Sequence, residues 1–330
     1  MNSDLQSTLA SLDTTYTCRF RARYHAKSEQ VMTVVQDYFV KRWPWRSEQA
    51  KQLYIKTNLE EATCICFPTT LDDRIETVVT WFCYMHILDD IIEGLEANKA
   101  TKLVDRLSNI ILGTLDPDPE DRLGVMAADV CSRFRLGEND GEEKHGLDII
   151  SESCKLLRHT SSADSKLQSL STYDTFIEWR ELDVGLWFST SLFLWGCGIY
   201  MRLHMSNDPE VRQLLRVSGR HIAVANDLFS YRVEALRAGQ TSQILLNTIA
   251  IIAKEKQVDP QTAMNMTKQR LSEMEEEVEV LIGKLRDRYT GEEGELIERL
   301  FVVCKGMMAG NCEWSSICFR YNGAQRAVAA

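Results

Sequence analysis

An all-helical fold is what this sequence predicts, and three observations predict it. Only 6 of the 330 residues are proline. Strong helix formers (Leu, Ala, Glu, Arg) are abundant. Amphipathic segments follow one another with no alternating strand pattern between them. Several segments are apolar nearly all round, which suits central helices ringed by others. With 44% apolar residues and no Pro/Gly/Ser-rich linker, the expected architecture is one helical domain over residues 28–330. A polar, mixed and loosely held arm over residues 1–27 precedes it.

Taken in order, helix is expected over 28–42, closed by Pro44, and over 47–66, closed before Pro68. A long, mostly apolar helix covers 71–93, and another covers 97–112. The turn Asp116-Pro117-Asp118-Pro119 opens a helix near Glu120. A charged loop spans 137–146, followed by helix over 147–159 and a Ser-rich loop. Residues 173–204 are very apolar, with Gly185, Gly196 and Gly198 inside them. Asn207-Asp208-Pro209 reads as a helix start with proline in the first turn, and Ala238-Gly239 as its stop. Helices over 243–255, 260–289 and 292–321 complete the set, with Asn322-Gly323 as the final cap.

Composition removes several functions. A net charge of −10 argues against nucleic-acid binding, which leaves a basic footprint. The ten cysteines are scattered, with Cys64-x-Cys66 the tightest pair and no facing CxxC pairs, so neither a zinc site nor a disulfide framework is expected. They read as small buried hydrophobes in a reducing compartment. The first residues lack a basic stretch followed by an apolar one, so no signal peptide is expected. No run approaches the ~18 apolar residues of a membrane span. The expected location is the cytoplasm. His86 and His221 read as core histidines, and the acidic run Glu273–Glu279 as a solvated face.

Two acidic clusters are spelled alike and mean different things. Asp72-Asp73-Arg74-Ile75-Glu76 opens the long helix, where carboxylates complement the positive end of the helix dipole. Asp89-Asp90-Ile91-Ile92-Glu93 closes the same helix, where three carboxylates oppose the dipole at the end of an apolar stretch. Asp89 and Glu93 are i, i+4 neighbours on one face. A solvated helix end would explain them; so would a hard cation such as Mg²⁺, which takes oxygen ligands. Asn226, Ser230 and Glu234 are spaced i, i+4, i+8 and fall within roughly an 80° arc of one helix. An amide oxygen, a hydroxyl and a carboxylate on one stripe make an oxygen-rich metal site.

These residues give the chain a resemblance to class I terpene synthases of the microbial type, most of all to sesquiterpene synthases. Asp89-Asp90-x-x-Glu93 resembles the family's aspartate-rich motif. Asn226-Asp227-Leu228-x-Ser230-x-x-x-Glu234 resembles its second metal motif at all three liganding positions. Arg180 stands where the family keeps a diphosphate-sensing arginine, Asp183 at its linker position, and Arg320-Tyr321 resembles the terminal Arg-Tyr pair. Trp314 falls where the family is often aromatic. There are departures: Val233 replaces a common basic residue, with Arg232 one step earlier, and Val184 stands where Gly is usual, with Gly185 following.

The resemblance implies a single helical bundle around a central active-site cavity. It implies three Mg²⁺ ions held by Asp89, Asp90 and Glu93 on one side and by Asn226, Ser230 and Glu234 on the other. Arg180, Arg320 and Tyr321 would donate to the diphosphate of an isoprenyl diphosphate, and Phe82, Met85, Trp187, Phe188 and Trp314 would wall a dry pocket for the carbocation. The substrate expected first is farnesyl diphosphate, with geranylgeranyl diphosphate the rival. Many relatives dimerise, so a homodimer is carried with the resemblance. A chain-elongating prenyltransferase would carry two aspartate-rich motifs, which the Asn-Ser-Glu stripe argues against. A helical scaffold without chemistry stays open on composition alone.

Overall fold

In the computed structural model, residues 2–136, 145–161, 170–241 and 245–322 are described, and among them there is no strand. After a short α1 (Asn2–Ala10) come α2 (Ser28–Arg42), α3 (Glu48–Thr57), α4 (Leu59–Cys66) and α5 (Ile75–Glu93). The middle of the chain holds α6 (Ala97–Leu112), α7 (Arg122–Leu136), α8 (His145–Ser161), α9 (Tyr173–Asp183), α10 (Leu186–Gly196) and α11 (Leu203–Ser206). It ends with α12 (Pro209–Thr241), α13 (Thr248–Lys256), α14 (Pro260–Arg288) and α15 (Gly291–Ile317). Most of the expected 137–146 loop, most of the Ser-rich loop, Gln243 and Gly323 lie outside the described residues.

Local chemistry sets the boundaries. Ser47 accepts from the Ala50 amide at 3.1 Å and starts α3. Thr172 caps α9 through a reciprocal box with Thr175. Asp259 caps α14, whose first residue is Pro260. The expected single helix over 47–66 is two helices, because Asn58 adopts a left-handed φ of 52° between α3 and α4; asparagine tolerates that conformation better than most residues. The expected stop at Ala238-Gly239 is overridden, and α12 runs on to Thr241. The break after Asp183 falls at Gly185, in a left-handed conformation with φ 65°. The last helix ends at Ile317, and Cys318 is extended (φ −63°, ψ 147°) before the chain turns again through 319–322. The Asn322 side chain donates to the Ser315, Ser316 and Cys318 carbonyls at 3.0–3.2 Å, closing the end of α15.

The core forms around α5, which is buried on nearly every face. Trp81 stacks on Tyr84 at 5.0 Å and donates its indole N–H to Ser153 at 3.0 Å. Helix α12 packs on α14 and α15, α15 on α4, and α8 on α6 and α10. The arm is held more firmly than its composition suggests. Tyr16 and the Arg19 amide donate to Glu275 at 2.8 and 3.1 Å, and the His25 amide donates to the Cys64 carbonyl at 3.0 Å. Glu275 is therefore no part of a solvated face: it is 2% exposed and anchors the arm to α14.

Where α15 crosses α4, a Cβ on Gly310 would stand 2.4 Å from the Ile65 carbonyl oxygen, a backbone atom that cannot step aside cheaply. Gly310→Ala is expected to lower stability by about 1–3 kcal/mol through overpacking. Gly283, exposed on α14 with nothing within 4 Å of its added Cβ, should do the opposite, Gly283→Ala gaining about 0.5–1 kcal/mol from helix propensity. Urea unfolding of the two variants beside the parent checks both signs.

Candidate active site

The residues singled out in the sequence converge from four elements. The C-terminal turn of α5 presents Asp89, Asp90 and Glu93. Helix α9 contributes Arg180 and Asp183, α12 the stripe Asn226, Ser230 and Glu234, and the turn after Cys318 brings Arg320 and Tyr321 back over them. Arg320 grips Asp90 with both terminal nitrogens, at 2.9 and 3.0 Å. The Asn226 side-chain amide donates to the Tyr321 hydroxyl at 2.7 Å. Arg180 donates to Asp227 at 2.7 and 3.2 Å, to Asn226 Oδ1 at 3.3 Å, and to Asp183.

Charge in this region is badly balanced. Asp89, Asp90, Glu93, Asp183, Asp227 and Glu234 face only Arg180 and Arg320 among the groups named here. Burial pushes the Asp89 carboxyl up to about 7 from an ordinary 3.8, and the neighbouring Glu93 charge adds to the rise; the Thr160 hydroxyl, donating at 2.9 Å, opposes it. Burial and the Asp90 charge raise Glu93, and burial and the Asp227 charge raise Glu234. Both guanidiniums are raised as well, which for a cation means a more firmly held charge. Burial alone would lower them, but Asp227 and Asp183 raise Arg180, and Tyr321 and Asp90 raise Arg320. Burial lifts the Tyr321 hydroxyl to about 12, so it stays protonated and able to donate.

The donors present fit a hard divalent cation. The Ser230 Oγ is buried between Asn226 and Glu234 on the same stripe, near enough to the Glu234 carboxylate to favour its charge but without a well-formed hydrogen bond. A buried hydroxyl left unmatched is costly unless something else takes its lone pairs. Every ligand candidate is oxygen, and the carboxylates lack positive charge. Asn226, Ser230 and Glu234 could hold one side of such an ion set, and Asp89 with its neighbours the other.

Other residues keep these groups in place, and sequence reasoning gave them no role. Asp227, fully buried, lies one step (about 100°) off the stripe. It receives Arg180 on one oxygen and the Thr248 amide and hydroxyl on the other, at 2.8 and 2.7 Å. Asn247 caps α13 through Ile249 and donates to Glu234 Oε2 at 2.9 Å and to the Asp227 carbonyl at 2.9 Å. The signal for Asn247 was an ordinary Asn-Thr helix start, hidden because the helix was expected from Gln243.

The expected apolar wall divides. Phe82 and Trp187 are half-buried, and Phe82 stacks on His86 at 3.9 Å. Trp314 lies edge-on to Tyr321 at 5.9 Å, with its indole nitrogen buried and unpartnered. Met85 and Phe188 are each 2% exposed and packed into the core, so they present little surface to a substrate. Arg232, beside Val233, does not turn toward the site; it donates to the Leu12 carbonyl in the arm.

Oxygen donors and two guanidiniums gathered at one end of a helical bundle suit an enzyme that works on a diphosphate. Residues 80–277 match terpene synthase family 2, C-terminal metal binding, and the chain belongs to that terpene synthase family. It is a lyase that uses a divalent metal. Among curated relatives, (+)-aristolochene synthase TS1 of Penicillium expansum is 26% identical over 90% of this chain and 88% of its own length. Aristolochene synthase of Aspergillus terreus is 24% identical over 92% of each. The crystal structure of aristolochene synthase from Penicillium roqueforti superposes with a TM-score of 0.78 at 18% identity, covering 92% of this chain and 99% of that one. No helix among the described residues is long and apolar enough to cross a membrane.

The raised Asp89 carboxyl carries a sign. Its folded value lies above its unfolded one, so Asp89's own contribution to the stability of the metal-free protein falls as pH rises from about 4 through about 7. Asp89→Asn mimics the neutral acid. In EDTA it is expected to raise Tm over the parent at pH 8 and to leave Tm nearly unchanged at pH 4, as read by scanning calorimetry.

Proposed function

We propose that this terpene synthase ionises farnesyl diphosphate with Mg²⁺ and cyclises the resulting carbocation to a sesquiterpene hydrocarbon or alcohol. The observation that carries the reading is the Asn226–Ser230–Glu234 stripe, an amide oxygen, a hydroxyl and a carboxylate on one helix face, set among the donors Arg180, Arg320 and Tyr321. The choice of a fifteen-carbon substrate rests on relatives that are aristolochene synthases along nearly their whole length.

Mg²⁺, with three ions as the proposed count, would supply neutralisation of the diphosphate so that it can leave. Asp89, Asp90 and Glu93 would hold the ions from α5, and Asn226, Ser230 and Glu234 from α12. Arg180 and Arg320 present planar forks suited to phosphate oxygens. Asp227 and Asp183 hold Arg180 in place before substrate arrives, and Asp90 does the same for Arg320. Tyr321 donates its hydroxyl hydrogen. Preset donors of this kind stabilise charge developing on a leaving group without reorganising at the moment of reaction. Phe82 and Trp187, the half-buried members of the expected wall, offer aromatic faces that stabilise a cation without trapping it, while Trp314, 6% exposed, backs Tyr321. With water excluded, the cation is quenched only after it has rearranged.

Incubating the protein separately with farnesyl and geranylgeranyl diphosphate, in Mg²⁺ and in EDTA, tests the proposal by gas chromatography–mass spectrometry. A cyclic fifteen-carbon product that needs Mg²⁺ is expected; a product from the twenty-carbon substrate alone moves the assignment to a diterpene synthase. Asn226→Ala should abolish the product. Asn247→Ala, which frees Glu234 and also removes the α13 cap and the bond to the Asp227 carbonyl, should weaken Mg²⁺ affinity by about 10–100-fold.

A further inference from the structure

Behind the face of α12 that carries the Asn-Ser-Glu stripe, three residues far apart in the sequence meet. They are Cys18 from the arm, His221 from α12 and Cys312 from α15. The two sulfurs and a ring nitrogen of His221 lie within 4.8 Å of one another, and all three residues are buried. The ligand atoms of a tetrahedral zinc stand roughly 3.5–3.8 Å apart, given its bond lengths, so the two sulfurs and the imidazole have to draw in to close on an ion.

The two thiols lie close enough to hydrogen-bond each other, and four further observations fit a metal. The His221 Nδ1 is buried with no hydrogen-bond partner. Its Nε2 donates to Glu275 Oε1 at 3.0 Å, the carboxylate–histidine arrangement that fixes the tautomer of a ligating imidazole and leaves the other nitrogen's lone pair free. Glu275 is itself neutralised from the far side by Arg19, at 3.4 Å. Both cysteines also line a cavity of about 680 Å³ between the arm and α12 and α15, an entry path to the cluster.

The geometry points to a second metal site, in which Cys18, Cys312 and His221 Nδ1 bind one Zn²⁺ and leave a fourth position facing that cavity. Two thiolates balance the ion's charge, so a buried site carries no net charge, and binding releases two protons to solvent. Soft sulfur donors separate this site from the all-oxygen one, which suits Mg²⁺. Its ligands come from the arm and from two helices, so the ion would fasten the arm to the bundle.

Tag-free full-length protein, stripped with EDTA and kept reduced, would be titrated with Co²⁺. One equivalent should give a thiolate-to-cobalt charge-transfer band and intense tetrahedral d–d absorption, both displaced by Zn²⁺. Cobalt in the oxygen-only site gives weak absorption and no charge-transfer band. Zn²⁺ should raise Tm by several degrees in the parent and not in Cys18→Ser. That variant changes an arm residue, and its circular dichroism should match the parent's. A charge-transfer band that is absent from the parent, or that survives in Cys18→Ser, overturns the site. So does mass spectrometry of freshly prepared protein showing the two sulfurs joined as a disulfide.

Discussion

The buried carboxylate of Asp227 is the interaction on which the rest of the site depends. With no exposure of its own, it must be fully matched, and its partners come from two other helices. Arg180 reaches it from α9, and the amide and hydroxyl of Thr248 reach it from the start of α13. One side chain thus ties three helices together at the level of the candidate metal stripe. Removing one member of a buried ion pair leaves the other uncompensated, at a cost of about 3–5 kcal/mol. The position of Arg180 and the orientation of α13 are therefore coupled to a residue that need touch neither metal nor substrate. Asn247 extends the same scheme. It caps α13, steadies Glu234 and binds the Asp227 carbonyl, so a helix start and a ligand orientation are set together.

The site is built from groups that would not choose to be together. Carboxylates at the end of α5 oppose the helix dipole, burial and neighbouring charge raise Asp89 and Glu93, and the α12 stripe buries a hydroxyl without a well-formed hydrogen bond. In a protein selected only for stability these would be faults. Here they cluster at the end of the bundle where the two guanidiniums and Tyr321 also converge. Such local conflict is where a functional site is expected to depart from the rules that fold the remainder.

Much of this was legible in the sequence. The fold class followed from periodicity, and α2 and α6 have the expected boundaries. The stripe at 226, 230 and 234 was legible because helical spacing converts sequence distance into a face. Elements that broke the reading did so for local reasons: Asn58 reversing φ between α3 and α4, Cys318 extending before the last turn. Partnerships set by the tertiary fold were not legible. Nothing near Glu275 in the sequence says that the arm will cover it, and its acidic neighbours suggest the reverse. Asp227 was in plain view inside the motif, yet its partners at 180 and 248 are recognisable only once α9 and α13 are packed beside α12. Met85 and Phe188 have the right spacing and chemistry for a pocket wall, but spacing cannot distinguish a side chain facing a cavity from one facing the core.

The unbalanced acids at the end of α5 bear on the protein's lifetime as well as its chemistry. A chain whose folded state is penalised by its own charges until cations arrive borrows part of its stability from the ion supply. When divalent ions are scarce, the fraction of chains transiently open rises, and those are the chains that proteases and chaperones engage.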